Sequence, residues 1–118
     1  MDNWVGDITM KRGIVSYDIT NTRERTKLYK ILCGYGNRVQ FSVFEFELED
    51  KIYNEMFEKI VDVYKEHKFR LLIKNTNTLD RFSIRIYDLC LSCMKKVYTF
   101  GEDKNIIGKE NIFWYGCY

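Results

Sequence analysis

Asp18 closes a short apolar run, Gly13-Ile14-Val15-Ser16-Tyr17-Asp18, just ahead of a basic stretch that holds Arg23, Arg25 and Lys27. A carboxylate at the C-terminal end of a strand, faced by cations, is placed to hold a hard divalent metal beside a phosphate. The competing reading of an aspartate before a helix is a cap or a turn. A second block, Asn37-Arg38-Val39-Gln40-Phe41-Ser42-Val43-Phe44-Glu45, adds a further cation and a further acid. Arg23, Arg25 and Arg38 have the chemistry for phosphate contacts, although solvated arginines are common. Glu45 is a second carboxylate candidate or a simple surface acid.

Four cysteines, Cys33, Cys90, Cys93 and Cys117, fit a reducing compartment. Cys90 and Cys93 form a single Cys-x-x-Cys, whereas a structural zinc site wants four soft or imidazole ligands, usually two such pairs. His67, the one histidine, has no partner spacing to complete such a set. Buried thiols at a strand end are the simpler reading of the pair.

The elements that must position Asp18 follow from periodicity. Ile14, Val15 and Tyr17 are strand-formers in a short buried run. Asn21 is suited to cap the next helix, with Glu24 at the third helical position to reach back to it. Leu28, Ile31, Leu32 and Tyr35 recur at helical spacing, and Gly34 and Gly36 end the stripe. Residues 39–48 are β-rich, with a change of alternation at Val43-Phe44 that signals a bulge, a kink or two short strands. Tyr53, Met56, Phe57, Ile60, Val61 and Tyr64 mark a second helix, started by Glu49 and Asp50 and ending near His67, a partner for its C-terminal dipole. Phe69 to Ile73 suit a short extra strand before the turn-rich Asn75-Thr76-Asn77-Thr78. Phe82, Ile84 and Ile86 alternate cleanly with Ser83, Arg85 and Tyr87, and Val97, Tyr98 and Phe100 suggest one more strand. The order β-α-β(β)-α-β with an additional C-terminal strand is an α+β, ferredoxin-like plan. A fold of that kind decides no function by itself.

The 118 residues fit one domain, 1–118, and 46% hydrophobic with 16% aromatic content argues for a folded core. No apolar run approaches the about 18–20 residues of a membrane helix, and the N-terminus lacks the basic-then-apolar order of a signal peptide. The expected compartment is the cytoplasm. The net charge of +2 hides a pattern: in residues 21–40 five cations against Glu24 leave +4, and in residues 67–118 nine cations against five acids leave +4 again. Clustering of this kind suits a polyanion surface, as well as ordinary solvated faces.

Residues 15–19, 35–45 and 84–90 together resemble the CRISPR-associated protein 2 family, over roughly residues 13 to 101. The block from Tyr35 to Glu45 is the specific part, and the cysteine pair after the last core strand also looks like the family. Residues 1–12, the longer segment at 68–81 and the extension 102–118 depart from its compact pattern. The resemblance implies a homodimer in which two Asp18 carboxylates face each other across the two-fold axis and share Mg2+, or another divalent cation such as Mn2+. It implies a metal-dependent endonuclease acting on RNA or DNA phosphodiesters, and a role in CRISPR adaptation as a bridge between dimers of CRISPR-associated protein 1, the integrase. By resemblance Asp18 is the metal ligand, Tyr17 orients it unless it is core, and Ser42 lies at the catalytic site. Arg23, Arg25 and Arg38 contact phosphates. Phe44 matches the aromatic position near the site, with strand packing as its alternative. A non-catalytic DNA-binding scaffold, and a toxin ribonuclease of the VapD type, are the competing functions.

Overall fold

A computed structural model describes residues 9–74, 80–90, 92, 98–100 and 112–113. Its elements are β1 (Met10–Ile19), α1 (Thr22–Cys33), β2 (Gly36–Gln40), β3 (Val43–Glu49), α2 (Asp50–Lys74), β4 (Phe82–Leu89), β5 (Thr99–Phe100) and β6 (Ile112–Phe113). The first four strands make one antiparallel sheet in the order β2-β3-β1-β4. The α+β arrangement of four strands and two helices matches the expectation. The additional C-terminal strand does not join this sheet: β5 pairs in parallel with β6.

β1 is an interior strand, so both of its edges are hydrogen-bonded and both of its faces are fixed. Val15, Tyr17 and Ile19 point under the helices, where they meet Leu28 and Leu32 of α1, Phe44 and Phe46 of β3, and Met56, Ile60 and Val63 of α2. Each large side chain buried this way contributes about 1.5–3 kcal/mol, whereas an exposed ion pair contributes less than about 1 kcal/mol. The apolar stripe therefore sets the fold, and charge pairs only adjust it. Gly13 allows β3 and β4 to approach β1 closely. A Cβ there would come within 2.0 Å of the Tyr87 carbonyl oxygen and 2.8 Å of the Phe46 ring.

The phase change at Val43-Phe44 resolves as two strands, joined by a turn at Phe41-Ser42, with an irregular register between Arg38 and Gln40. Asn21 caps α1 as expected, its Oδ1 accepting the Glu24 N–H at 2.9 Å. The Glu24 side chain does not reach back to the cap. It turns inward, where Arg70 and His67 of α2 offer it hydrogen bonds. The second helix also runs further than expected: α2 continues to Lys74, so Phe69–Ile73 form helix instead of a strand. No glycine or proline interrupts the helix before Asn75. His67 is consequently not at a helix end but buried in the last third of α2. Among the described residues no helix is long and apolar enough to cross a membrane.

The inward turn of Glu24 builds a charge network. Arg70 Nε donates to Glu24 Oε2 at 2.8 Å, and Arg70 Nη2 donates to Asp80 Oδ2 at 3.1 Å. His67 Nδ1 lies 3.0 Å from Glu24 Oε1, and its ring stacks on Phe82 at 4.1 Å. An ionised carboxylate only accepts, so Nδ1 carries the proton and donates to Glu24. Burial by itself pushes the Glu24 carboxyl up, but the hydrogen bonds from Arg70 and His67 outweigh it and hold the group below its ordinary value of 4.5. A depressed carboxyl stabilises the fold fully above the unfolded value and stops doing so as pH falls through the folded one. Glu24→Gln is therefore expected to lose about 2–3 kcal/mol at neutral pH. Below about pH 4.5 its stability should fall less steeply than that of the unsubstituted protein. Urea unfolding at a series of pH values measures both, and parallel acid limbs would contradict the assignment.

Candidate functional site

Alternation along β1 puts Asp18 on the opposite side from Tyr17, on the sheet face away from the helices. Register pairs it with Ser83 on β4. Its side chain is 57% exposed, and Arg81 Nε donates to its Oδ2 at 3.1 Å from a side chain that is 67% exposed. The capping alternative for Asp18 falls away, because Asn21 holds that place.

Thr20 locks the corner where β1 ends. Its N–H donates to the Arg81 carbonyl at 3.0 Å, and its hydroxyl accepts the Arg81 N–H at 2.9 Å. Arg25 braces the same corner from α1, its Nη1 donating to the Ile19 and Thr20 carbonyls at 3.1 and 3.2 Å. On the other side, the Ser42 carbonyl accepts the Tyr17 N–H at 3.1 Å, which draws the β2–β3 turn against β1. The result is an open cavity of about 310 Å3, lined by Asp18, Thr20, Arg25, Phe41, Ser42 and Arg81 among others. Two guanidinium groups, the Thr20 and Ser42 hydroxyls and one carboxylate surround a space suited to a phosphate.

A second cavity of about 200 Å3 adjoins it and shares Tyr17, Arg25 and Phe41. Here the Arg38 guanidinium lies over the Tyr29 ring at 5.2 Å and over the Phe41 ring at 5.0 Å. Such stacking holds a planar cation in place at little cost in conformational freedom.

The structure thus brings Asp18, Ser42 and Arg25 to one cavity and Arg38 to its neighbour. Of the other expected residues, Tyr17 lines both cavities, and Arg23 and Phe44 line neither. Arg23 is exposed on α1 and lines neither cavity. Phe44 is 1% exposed, packed between Tyr17 and Tyr29, so its ring is core and unavailable to nucleic acid. Tyr17 is 5% exposed and stacks on Phe44, facing away from Asp18. Burial raises its phenol above the ordinary value of 10.0, with Arg38 opposing, so it stays protonated at neutral pH. Tyr17 therefore supports the site from beneath and supplies no base. Glu45 is buried opposite Ile14, four residues from Asp18 along β1, or about 13 Å at strand rise.

Two residues at the site carry no local sign in the sequence. Arg81 reaches Asp18 only through the β1–β4 register, and Phe41 is exposed only because the β-rich block folds at that turn. Among the described residues no group of three or more His, Cys, Asp and Glu side chains converges. Cys90 is exposed, contrary to the expectation of a buried thiol; Cys33 is exposed as well, and Cys93 and Cys117 lie outside the described residues.

A family model described as CRISPR associated protein Cas2 matches residues 10–97. A "CRISPR-associated endoribonuclease Cas2 2" of Methanospirillum hungatei is 39% identical over 93 residues, which cover 79% of this chain and 89% of that protein. A "CRISPR-associated endoribonuclease Cas2 1" of Chloroflexus aurantiacus is 36% identical over 89 residues, 75% of this chain and 83% of that protein. Among solved structures, one chain of a "Partial Cas6-RT-Cas1--Cas2 complex" superposes with a TM-score of 0.53 at 28% identity, covering 80% of this chain and 93% of that one.

The two site arginines are held differently, and stability should reflect it. Arg81→Gln is expected to unfold within about 1 kcal/mol of the unsubstituted protein, because it removes one exposed pair. Arg25→Ala strips two carbonyls of their donor at a strand end and should cost about 1–2 kcal/mol. Denaturant midpoints measure the ranking, and the reverse order would show that Arg81 braces the corner.

Proposed function

The chain belongs to the CRISPR associated protein Cas2 family, and on that premise we propose that it serves CRISPR adaptation as a homodimeric, divalent-cation-dependent endonuclease that also holds nucleic acid for a Cas1 partner in the cytoplasm. The observation that carries this reading is the exposed Asp18 carboxylate at the rim of a cavity lined by Arg25, Arg81 and Ser42.

One chain brings a single carboxylate to that cavity, too few protein ligands for a divalent cation to be held firmly. Asp18 stands on the helix-free face of the sheet, where a second copy meeting this one about a two-fold axis would add a second carboxylate. Two such groups repel, and a cation between them relieves the repulsion. Mg2+ suits so small a ligand set because it retains most of its waters, and Mn2+ is an alternative. When bound, the cation supplies charge stabilisation at the phosphodiester. The chain's own residues do the rest. Arg25 and Arg81 neutralise the phosphate oxygens, the Ser42 hydroxyl can hydrogen-bond them, and Arg38 extends the cationic track.

A second reading keeps the DNA-holding role and drops the chemistry. The Asp18–Arg81 pair favours it, because a carboxylate already neutralised within its own chain has no need of a metal. Likeness to a chain from a complex that contains Cas1 supports the partnership under either reading. The membership lends no support to a toxin ribonuclease.

Asp18→Ala separates the two. Cleavage of RNA or DNA oligonucleotides should fall by at least about 100-fold, and chelation should abolish cleavage until Mg2+ or Mn2+ is returned. Spacer acquisition in cells, measured with the same variant, should persist if holding DNA is the essential role and fail if cleavage is. Unchanged cleavage would remove Asp18 from the chemistry.

A further inference from the structure

Phe41 is 71% exposed, yet it is not a stray apolar residue on a polar surface. It sits at the β2–β3 turn, where the two cavities meet. One flank of its ring is against the Arg38 guanidinium, which itself lies on Tyr29. A ring supported in this way is pre-organised, and a flat partner arriving on its open side loses little to ordering it. On the cavity side stand Arg25, Arg81 and the Ser42 hydroxyl, groups that bind phosphate. An aromatic face beside a cationic groove is the pairing with which proteins hold unpaired nucleotides, the base on the ring and the backbone along the cations. A duplex keeps its bases stacked on each other and offers this ring no face.

We propose that Phe41 is a stacking platform for one unpaired nucleobase, and that it seats the adjoining phosphate in the Asp18 cavity. The inference deepens the nucleic-acid reading above and rests on it. Phe41 takes over the aromatic contact expected of Phe44, three residues away and in the core.

The test is fluorescence anisotropy at fixed salt, with EDTA present to prevent cleavage. The probes are a labelled single-stranded RNA, the same strand with an abasic stretch, and its duplex. Loss of one stacked base, at about 1–3 kcal/mol, corresponds to a loss of affinity of about 5- to 150-fold. Phe41→Ala should lose affinity in that range for the single strand alone, and stay within about twofold on the duplex and abasic probes. The slope of affinity against salt should not change, because no phosphate contact is removed. Phe41→Trp should retain binding and report the base by quenching of its own fluorescence. Equal losses on all three probes, or no loss on any, would overturn the proposal. So would dissociation of the Phe41→Ala protein into monomers on sedimentation, which would assign the ring to the contact between copies. If the unsubstituted protein binds no probe, the nucleic-acid reading itself fails. If it binds and Phe41→Ala binds equally well, only the stacking fails.

Discussion

The register of β1 between its two neighbours is the constraint on which the rest depends. Because side chains alternate along a strand, Val15, Tyr17 and Ile19 can enter the core only if Asp18 faces outward. A slip of one residue would drive the carboxylate beneath the helices and expel three core side chains, a loss of several kcal/mol of apolar burial. Gly13 reinforces the setting, since the neighbouring backbone and the Phe46 ring leave no room for a Cβ. The site therefore takes its geometry from packing that never touches a ligand.

From that strand, polar contacts run in two directions. Thr20 and Arg81 close β1 against β4 through a reciprocal pair of hydrogen bonds, and Arg81 goes on to Asp18. Asp80, the preceding residue, meets Arg70, which meets the buried Glu24 beside His67. One short segment ahead of β4 thus faces both the buried network and the exposed carboxylate. The two ends differ in energetics. Around Glu24 the charges are shielded from water and expensive to separate, whereas the Asp18–Arg81 pair is solvated and easily parted. A site that must admit an anionic ligand is better served by the second arrangement, because the cation can be redirected without disturbing the fold.

Much of this was legible in the sequence. The stripes of α1 and α2 follow from a period of 3.6, and the Asn21 cap follows from its side-chain chemistry. The resemblance carried by Tyr35–Glu45 agrees with the family that the comparisons identify. What was not legible depends on tertiary placement. Phe41 and Phe44 are the same residue type, and only the turn at Phe41-Ser42 decides that one is exposed and the other buried. Glu24 reads as a capping-box residue until α2 supplies Arg70 and His67 from more than forty positions away. The strand-like composition of Phe69–Ile73 gave no warning that α2 would run through it, because apolar runs of that length suit either state. Arg81 could be found only with the β1–β4 register in hand.

The central claim is that Asp18 is half of a metal site completed by a second copy. Cation stoichiometry measures it most directly, by Mn2+ titration of the intact protein followed by electron paramagnetic resonance. The account predicts one tightly bound Mn2+ for every two chains, and none in Asp18→Asn. One Mn2+ for every chain, or binding that survives Asp18→Asn, would contradict it.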